Sequence, residues 1–182
     1  TIQPQPYTLV SDLPGRTTAF RVAEVRPQVN GIILKRLFTE GTDVKAGQQL
    51  YQIDPAVYEA NLNSAKATFD ATNSLAGRYK QLINEQAVSR QEYDTAVGNA
   101  REAKAAVQTA EINLRYTKVY APISGRIGRS LVTEGALVSN GQADAMATIQ
   151  QLDPIYVDVI QSSTEMLRLR RELESGKLQK AG

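Results

Sequence analysis

The sequence contains no cysteine, no histidine and no tryptophan among its 182 residues. These absences exclude a thiol nucleophile, a Ser–His–Asp arrangement, a zinc finger and an imidazole proton shuttle. Any catalysis would depend on carboxylates, lysines or hydroxyls. A protein without cysteine fits the cytosol and a disulfide-free exported state equally well, so this absence does not indicate a compartment.

Net charge and long apolar runs are also scarce. The 21 basic and 19 acidic residues give a formal net charge of +2, which is too small for the phosphate-neutralising surface of a nucleic-acid binder. No apolar run approaches the ~18 residues of a membrane span, and no apolar stretch near Thr1 is typical of an export signal. We therefore expect no nucleic-acid partner, and we expect that an exported form has lost its signal. No carboxylate pair has a spacing that demands general acid–base catalysis, so we expect no enzyme activity, no metal and no cofactor.

An alanine-rich central segment has the spacing of a coiled coil. Small and apolar residues alternate four and three apart over residues 55–115, which predicts two helices of about four heptads each. We call these positions the packing seam. The seam consists of Tyr58, Leu62, Ala65, Phe69, Thr72, Ala76, Tyr79 and Ile83 in the first helix, and of Tyr93, Ala96, Ala100, Ala103, Val107, Ala110 and Leu114 in the second.

Both predicted helices have recognisable starts. Asp54 followed by Pro55 is typical of an N-cap with proline at the first helical position. The run Ser89-Arg90-Gln91-Glu92 is a capping box, which predicts that the second helix begins at Ser89. Only a few residues around 86–88 join the helices, so we expect an antiparallel hairpin about 45 Å long.

The segments on either side of the hairpin contain an internal repeat. The intervals between Val25, Gly31, Gly41 and Gly47 recur in a second set of four residues, Val119, Gly125, Gly135 and Gly141. Short β-branched runs separated by glycine turns indicate strands. We therefore expect residues 23–54 and 116–150 to form the two halves of one small β-sandwich, with the hairpin of 55–115 inserted between them.

The remaining residues, 1–22 and 151–182, indicate an incomplete third domain. Strands are expected at 7–10 and 17–22, and the alternation at 155–160 is typical of a half-buried strand. The run Ser162-Ser163-Thr164-Glu165 predicts a capping box before a short helix. These strands are too few to close a sheet.

A twofold repeated sandwich of this kind resembles the biotinyl and lipoyl carrier domains. Those domains carry their cofactor on a lysine at the turn between the two halves, and here no lysine occurs between Lys45 and Lys66. The carrier alternative therefore lacks its attachment residue. Glu40 and Glu134 occupy equivalent repeat positions before a glycine, which turn geometry explains better than acid catalysis.

Several longer motifs identify a more specific resemblance. They are LPGRT at 13–17, AEVRPQVNGIILKR at 23–36, LYQIDP at 50–55, APISGRIG at 121–128, VTEGALV at 132–138 and QQLDPIYVDV at 150–159. Together with the split sandwich, these motifs resemble the periplasmic adaptor proteins, or membrane fusion proteins, of tripartite resistance-nodulation-division (RND) multidrug efflux pumps. The fold class expected is α+β: a lipoyl-like β-sandwich split by an antiparallel helical hairpin, plus part of a β-barrel domain with a short helix.

This resemblance implies a function and a set of partners. A member of the family joins a proton-driven inner-membrane efflux transporter to an outer-membrane channel, and associates with its own copies in a ring, expected here to be a trimer or a hexamer. The resemblance implies a periplasmic location, with a lipid anchor to the inner membrane in the full-length protein. The alternatives are an adaptor of an ATP-driven or type I exporter and, less well supported, the biotinyl or lipoyl carrier.

The resemblance also implies a docking signature at the hairpin tip, which falls on Arg78, Leu82 and Ser89. Arg78 and Leu82 lie one turn apart on the same face and off the packing seam, as an interaction surface requires. The alternative is that Leu82 is an ordinary exposed leucine and Ser89 is only a helix cap. Because aspartate caps helices as well as serine does, Ser89→Asp is expected to be neutral or slightly stabilising for the hairpin.

Overall fold

The computed structural model describes residues 12–83 and 85–176. The chain forms two compact units, one of Val22–Gln150 and the other of Thr1–Arg21 with Gln151–Gly182. The strand expected at 7–10 lies outside the described residues.

Eight strands and three helices make up the described chain. In chain order they are β1 Gly15–Val25, β2 Gly31–Arg36, β3 Asp43–Val44, β4 Gln49–Ile53, α1 Ala56–Leu82, α2 Arg90–Tyr116, β5 Lys118–Tyr120, β6 Gly125–Ile127, β7 Leu137–Val138, β8 Ala147–Val159 and α3 Ser163–Glu174. The strands form two four-stranded sheets with the orders β1-β8-β6-β3 and β5-β4-β2-β7. The expected α+β sandwich split by a helical hairpin is confirmed.

The two halves of the sandwich repeat the same backbone conformation at a constant offset of 94 residues. Gly41 and Gly135 have φ angles of 73° and 85°, and Gly47 and Gly141 have φ angles of 80° and 79°. All four lie in the left-handed region, which glycine adopts without a steric penalty. The spacing of glycines in the sequence therefore reflects a repeated turn geometry.

Hydrogen bonds across the sandwich follow the same repeat. The Gly41 amide donates to the carbonyl of Ile127 at 2.9 Å, and the equivalent Gly135 amide donates to the carbonyl of Ile33 at 2.8 Å. Each half thus closes the turns of the other half. Strand pairing across the halves is also equivalent, since β2 pairs with β7 and β3 pairs with β6.

The hydrophobic core of this unit belongs to the sandwich. Its buried members are Val25, Val29, Ile33, Val44, Leu50, Tyr51, Ile53, Val119, Ala121, Ile127, Val138, Met146, Ala147 and Ile149. Both halves contribute, and each large apolar side chain that is fully buried stabilises the fold by about 1.5–3 kcal/mol. The inserted hairpin contributes no buried residue to this cluster.

The hairpin leaves the sandwich through two neighbouring strands. β4 ends at Ile53 and β5 begins at Lys118, and these two strands pair antiparallel. At the entry, α1 begins at Ala56 with Pro55 as the N-cap residue, one position later than predicted, and the Asp54 carboxylate accepts a hydrogen bond from the Ala56 amide at 3.0 Å. Each helix has 27 residues and is therefore about 40 Å long.

Packing between α1 and α2 is formed largely by small residues. Leu62 is 8% exposed on α1, and Ala100 and Ala103 are 8% and 7% exposed on α2. Phe69 and Val107 are half-buried in the same seam. The alanines allow close approach of the two backbones, but they bury little apolar area in each layer.

The other unit differs from expectation in two respects. Because successive side chains of a strand alternate between faces, Ile155 and Val157 share the face of β8 that was expected to be buried. They are instead 44% and 61% exposed, so β8 is not half-buried. The described part of this unit consists of the outer portions of β1 and β8 and of α3, and within it the apolar side chains of β8 remain exposed. Ser162 precedes α3 as predicted, but its side chain makes no capping hydrogen bond.

Candidate functional site at the hairpin tip

The hairpin tip, which we define as residues 78–83 and 85–92, contains an unusual turn after α1. The Ala87 amide donates to the Leu82 carbonyl at 3.0 Å, and the Gln86 amide donates to the Ile83 carbonyl at 3.2 Å. These two bonds are those of a Schellman motif, whose left-handed position is usually glycine. Here the position is held by Gln86, with a φ angle of 54°. The backbone at the tip is therefore fixed by its own hydrogen bonds.

Ser89 forms the predicted capping box at the start of α2. Its hydroxyl accepts from the Glu92 amide at 3.2 Å, while its own amide donates to Glu92 Oε2 at 2.8 Å. The Ser89 hydroxyl also donates to the same Glu92 oxygen at 2.8 Å. The hydrogen bond from the Ser89 amide, followed by that from its hydroxyl, lowers the pKa of Glu92. The start of α2 thus carries a stabilised negative charge.

This geometry leads to a different expectation for Ser89→Asp. The serine hydroxyl is a donor to the Glu92 carboxylate, and an aspartate at the same position has no donor to offer. Two carboxylates would face each other within hydrogen-bond distance, so the favourable contact becomes a repulsion. We expect Ser89→Asp to weaken the cap, whereas Ser89→Thr keeps the hydroxyl.

The structure places the three predicted docking residues on different parts of the tip. Arg78 and Ser89 are exposed, and Leu82 is half-buried. Arg78 and Leu82 lie together on the last turn of α1, away from the seam. Ser89 instead lines a groove of about 590 Å³ between α1 and α2, together with Leu75 and Tyr79 among others. Within the described part of the tip, Arg78 and Leu82 do not line this groove.

Two features of the tip are missing from the sequence prediction. Gln86 carries no sequence signal, because glycine is the residue that normally marks a left-handed turn after a helix. Leu75 lies off the seam, yet it is half-buried against a small cluster of Ala76, Ala96 and Ala100. The sequence did contain a signal for Leu75, because it directly precedes the seam residue Ala76. The small alanines of the seam leave space that a neighbouring large side chain can fill.

The carboxylates of the sandwich turns have structural partners. Glu134 Oε1 accepts from the Arg36 amide at 2.9 Å, and Glu40 Oε1 accepts from the Ser130 amide at 3.0 Å. These equivalent bonds cross between the two halves, which supports turn geometry as the role of both residues. Among residues 12–83 and 85–176, no three acidic side chains lie close enough to hold a metal ion.

Tyr51 is the most deeply buried hydroxyl-bearing aromatic residue of the sandwich. Its hydroxyl lies 2.6 Å from that of Ser130 and donates to the Met146 carbonyl at 3.2 Å. Burial raises the pKa of Tyr51. The side chain is fully hydrogen-bonded inside the core, so it holds the two halves together and is not available for chemistry.

None of the helices in the described ranges combines the length and the apolar character needed to cross a bilayer. At the tip, the turn after α1 and the capping box of α2 hold the described backbone by local hydrogen bonds. The last turn of α1 beside them presents the exposed Arg78 and the half-buried Leu82.

Comparison with known proteins identifies the class. Residues 21–150 match the family model described as the RND MFP barrel-sandwich hybrid domain. The chain belongs to this family of membrane fusion proteins, which confirms the resemblance found in the sequence.

Individual relatives agree with the family match. The chain is 75% identical over 182 residues to the antibiotic efflux pump periplasmic linker protein ArpA of Pseudomonas putida, covering 100% of this chain and 49% of the relative. It is 69% identical over 182 residues to the multidrug resistance protein MexA of Pseudomonas aeruginosa, covering 100% of this chain and 48% of MexA. The chain therefore spans about half the length of the curated relatives it matches.

A solved structure supports the same fold. A MacA–MexA chimeric protein containing the Pseudomonas aeruginosa MexA α-hairpin domain has a TM-score of 0.76 to this chain, with 37% sequence identity. The alignment covers 84% of this chain and 56% of the chimera.

Proposed function

We propose that this chain is the hairpin-and-sandwich part of a periplasmic adaptor, which joins an inner-membrane efflux transporter to an outer-membrane channel. The observation that carries the proposal is the hairpin itself: two 27-residue helices that end in a tip locked by a turn and a capping box. A projection about 40 Å long with a rigid end is suited to reaching across a space and contacting a partner. Relatives of this chain are named periplasmic linkers of efflux pumps.

In this proposal the tip binds the helical end of the channel through Arg78, Leu82 and Ser89. Arg78 offers a long cationic side chain on the outer surface, and Leu82 offers an apolar side chain one turn later. Ser89 acts mainly through the capping box, because its hydroxyl is already engaged with Glu92. Its contribution to docking is to hold the start of α2 in place.

The adaptor does no chemistry of its own in this scheme. Energy for export comes from proton flow through the transporter, and several adaptors surround the path of the exported compound as a ring. The location is the periplasm, with a lipid anchor in the inner membrane belonging to the full-length protein. The match to the RND family model favours this scheme over an ATP-driven or type I exporter.

A pair of neighbouring substitutions tests the docking role. Leu82→Asp places a carboxylate where the channel helices would pack, and the cost of desolvating it weakens docking. Gln81→Asp is the control, since residue 81 is exposed and adds the same charge at the same end of α1. Cells that depend on this protein for drug resistance should lose resistance with Leu82→Asp and keep it with Gln81→Asp, at equal expression. Equal resistance for both variants would refute the docking role of Leu82.

A further inference from the structure

Each helix of the hairpin contains a single glycine, and the two glycines lie at the same height along the hairpin. Gly77 lies five residues before the end of α1, and Gly98 lies eight residues after the start of α2. The buried Ala76 packs against Ala96 and Ala100 across the seam, so the residues that face it are centred on position 98. Gly77 and Gly98 therefore share one layer of the hairpin, which we call the glycine layer.

Packing does not require a glycine at either position. Both residues are exposed, and a Cβ added at Gly77 or at Gly98 would meet nothing within 4 Å. Both also lie inside regular helix, where no turn calls for a glycine. What glycine supplies here is backbone freedom, because it favours local opening of a helix about fivefold relative to alanine. Two glycines in one layer loosen both helices at the same place.

Side-chain packing in the glycine layer is also thin. The buried residues of its cluster are all alanines, Ala76, Ala96 and Ala100, and the larger Tyr79 beside them is only half-buried. Nearer the sandwich, the seam buries Leu62 instead. Because alanine buries little apolar area, a small displacement of the helices costs less in this layer than in a layer held by leucine. The groove of about 590 Å³ begins here too, since Ala96 lines it.

The parts of the hairpin on either side of this layer have contacts of their own. At the tip, the Ala87 amide donates to the Leu82 carbonyl, and the capping box of Ser89 holds the start of α2. At the base, the Tyr58 hydroxyl donates to the Asn30 carbonyl at 2.7 Å, and the Tyr58 ring packs against the sandwich core. A bend at the glycine layer breaks none of these bonds.

We infer that the glycine layer is a hinge inside the hairpin, at which the tip tilts as a unit relative to the part that adjoins the sandwich. Gly77 and Gly98 absorb the change in backbone angles, since a hinge needs only a few residues that accept new φ and ψ values. The use of this hinge rests on the proposed adaptor function, in which the tilt aligns the tip with the outer-membrane channel. The hinge itself is a property of the isolated chain.

Hydrogen exchange of the purified chain tests whether the two glycines act together. Amides at 77–81 and 98–102, whose helical bonds enclose the glycines, should exchange faster than amides at 63–67 and 105–109. Gly77→Ala should slow exchange at the layer about fivefold in both helices, although the substitution is in α1 alone. An effect confined to α1, or equal exchange in the two sets of segments, would overturn the inference.

Spin labels measure the tilt directly, because the chain has no cysteine of its own to react with the label. Lys66→Cys with Gln81→Cys spans the glycine layer. Glu59→Cys with Ser74→Cys is the matched control, since each pair joins exposed positions fifteen residues apart on α1, about 22 Å along the helix. Electron paramagnetic resonance should give a broader distance distribution for the spanning pair. Equal widths for the two pairs would contradict the hinge.

Replacing the glycines tests whether they cause the motion. Gly77→Ala with Gly98→Ala should narrow the distribution of the spanning pair to the width of the control pair. Asn63→Ala with Thr109→Ala also raises helix propensity at exposed positions, but away from the glycine layer, and should leave the distribution broad. No narrowing with the glycine replacements, or equal narrowing with both double variants, would refute the hinge. These distances are measured without the channel, so a failed docking role of Leu82 leaves them unchanged and the two failures are distinguishable.

Discussion

The alanine seam allows a sharp test of how the hairpin is held together. Ala103 is 7% exposed between α1 and α2, whereas Ala105, two residues later, is exposed on the outer side of the same helix. Replacing either residue with leucine changes helix propensity equally and only slightly. Only Ala103→Leu inserts three extra carbons between backbones that approach closely, and such overpacking costs about 1–3 kcal/mol.

Thermal unfolding followed by the helical circular dichroism signal measures this difference. At about 4 °C per kcal/mol for a unit of this size, Ala103→Leu should lower the melting temperature by about 4–12 °C. Ala105→Leu should melt within about 1–2 °C of the parent chain. Equal melting of the two variants would show that Ala103 does not face α1, and the heptad register would be wrong.

Three further predictions follow from the same structure. Removing residues 55–116 and joining β4 to β5 through a short glycine-containing turn should leave a folded β-sandwich by circular dichroism, because these strands already pair and every fully buried member of the core lies outside the hairpin. Gly98→Ala should stabilise α2 by about 1 kcal/mol in chemical denaturation, because a Cβ there meets no neighbour within 4 Å. Ser89→Ala should raise the pKa of Glu92 towards its ordinary value in an NMR titration, and Ser89→Thr should not. Because folding lowers this pKa, the capping stabilisation is present above the unfolded-state pKa of Glu92 and is lost as pH falls through the lower folded-state pKa.

The elements that follow from local periodicity were predictable from the sequence. The heptad positions of α1 and α2 and the capping box at Ser89 depend on neighbours within four residues, so the sequence contains their whole signal. The sandwich was predictable for a different reason. Its equivalent turns need left-handed glycines at equal intervals, such as Gly41 and Gly135, and that requirement is visible without any strand assignment.

The features that were missed depend on tertiary context. The half-buried state expected for Ile155 and Val157 required a covering layer, and alternation alone does not show whether one exists. The expectation for Ser89→Asp changes because the serine hydroxyl donates to Glu92, a direction that residue types do not fix. Gln86 adopts a left-handed conformation that its side chain does not favour, at the position where the two hydrogen bonds of the turn place it.

The central claim is that the hairpin tip contacts the outer-membrane channel, and site-specific photo-crosslinking measures that contact directly. A photoreactive residue is placed at position 82 on the last turn of α1, with Ser64, exposed on the same helix but far from the tip, as the matched position. In cells carrying the assembled pump, position 82 should cross-link to the channel protein and position 64 should not. Cross-linking to the channel from position 64 and none from position 82, with both variants folded and expressed equally, would contradict the account.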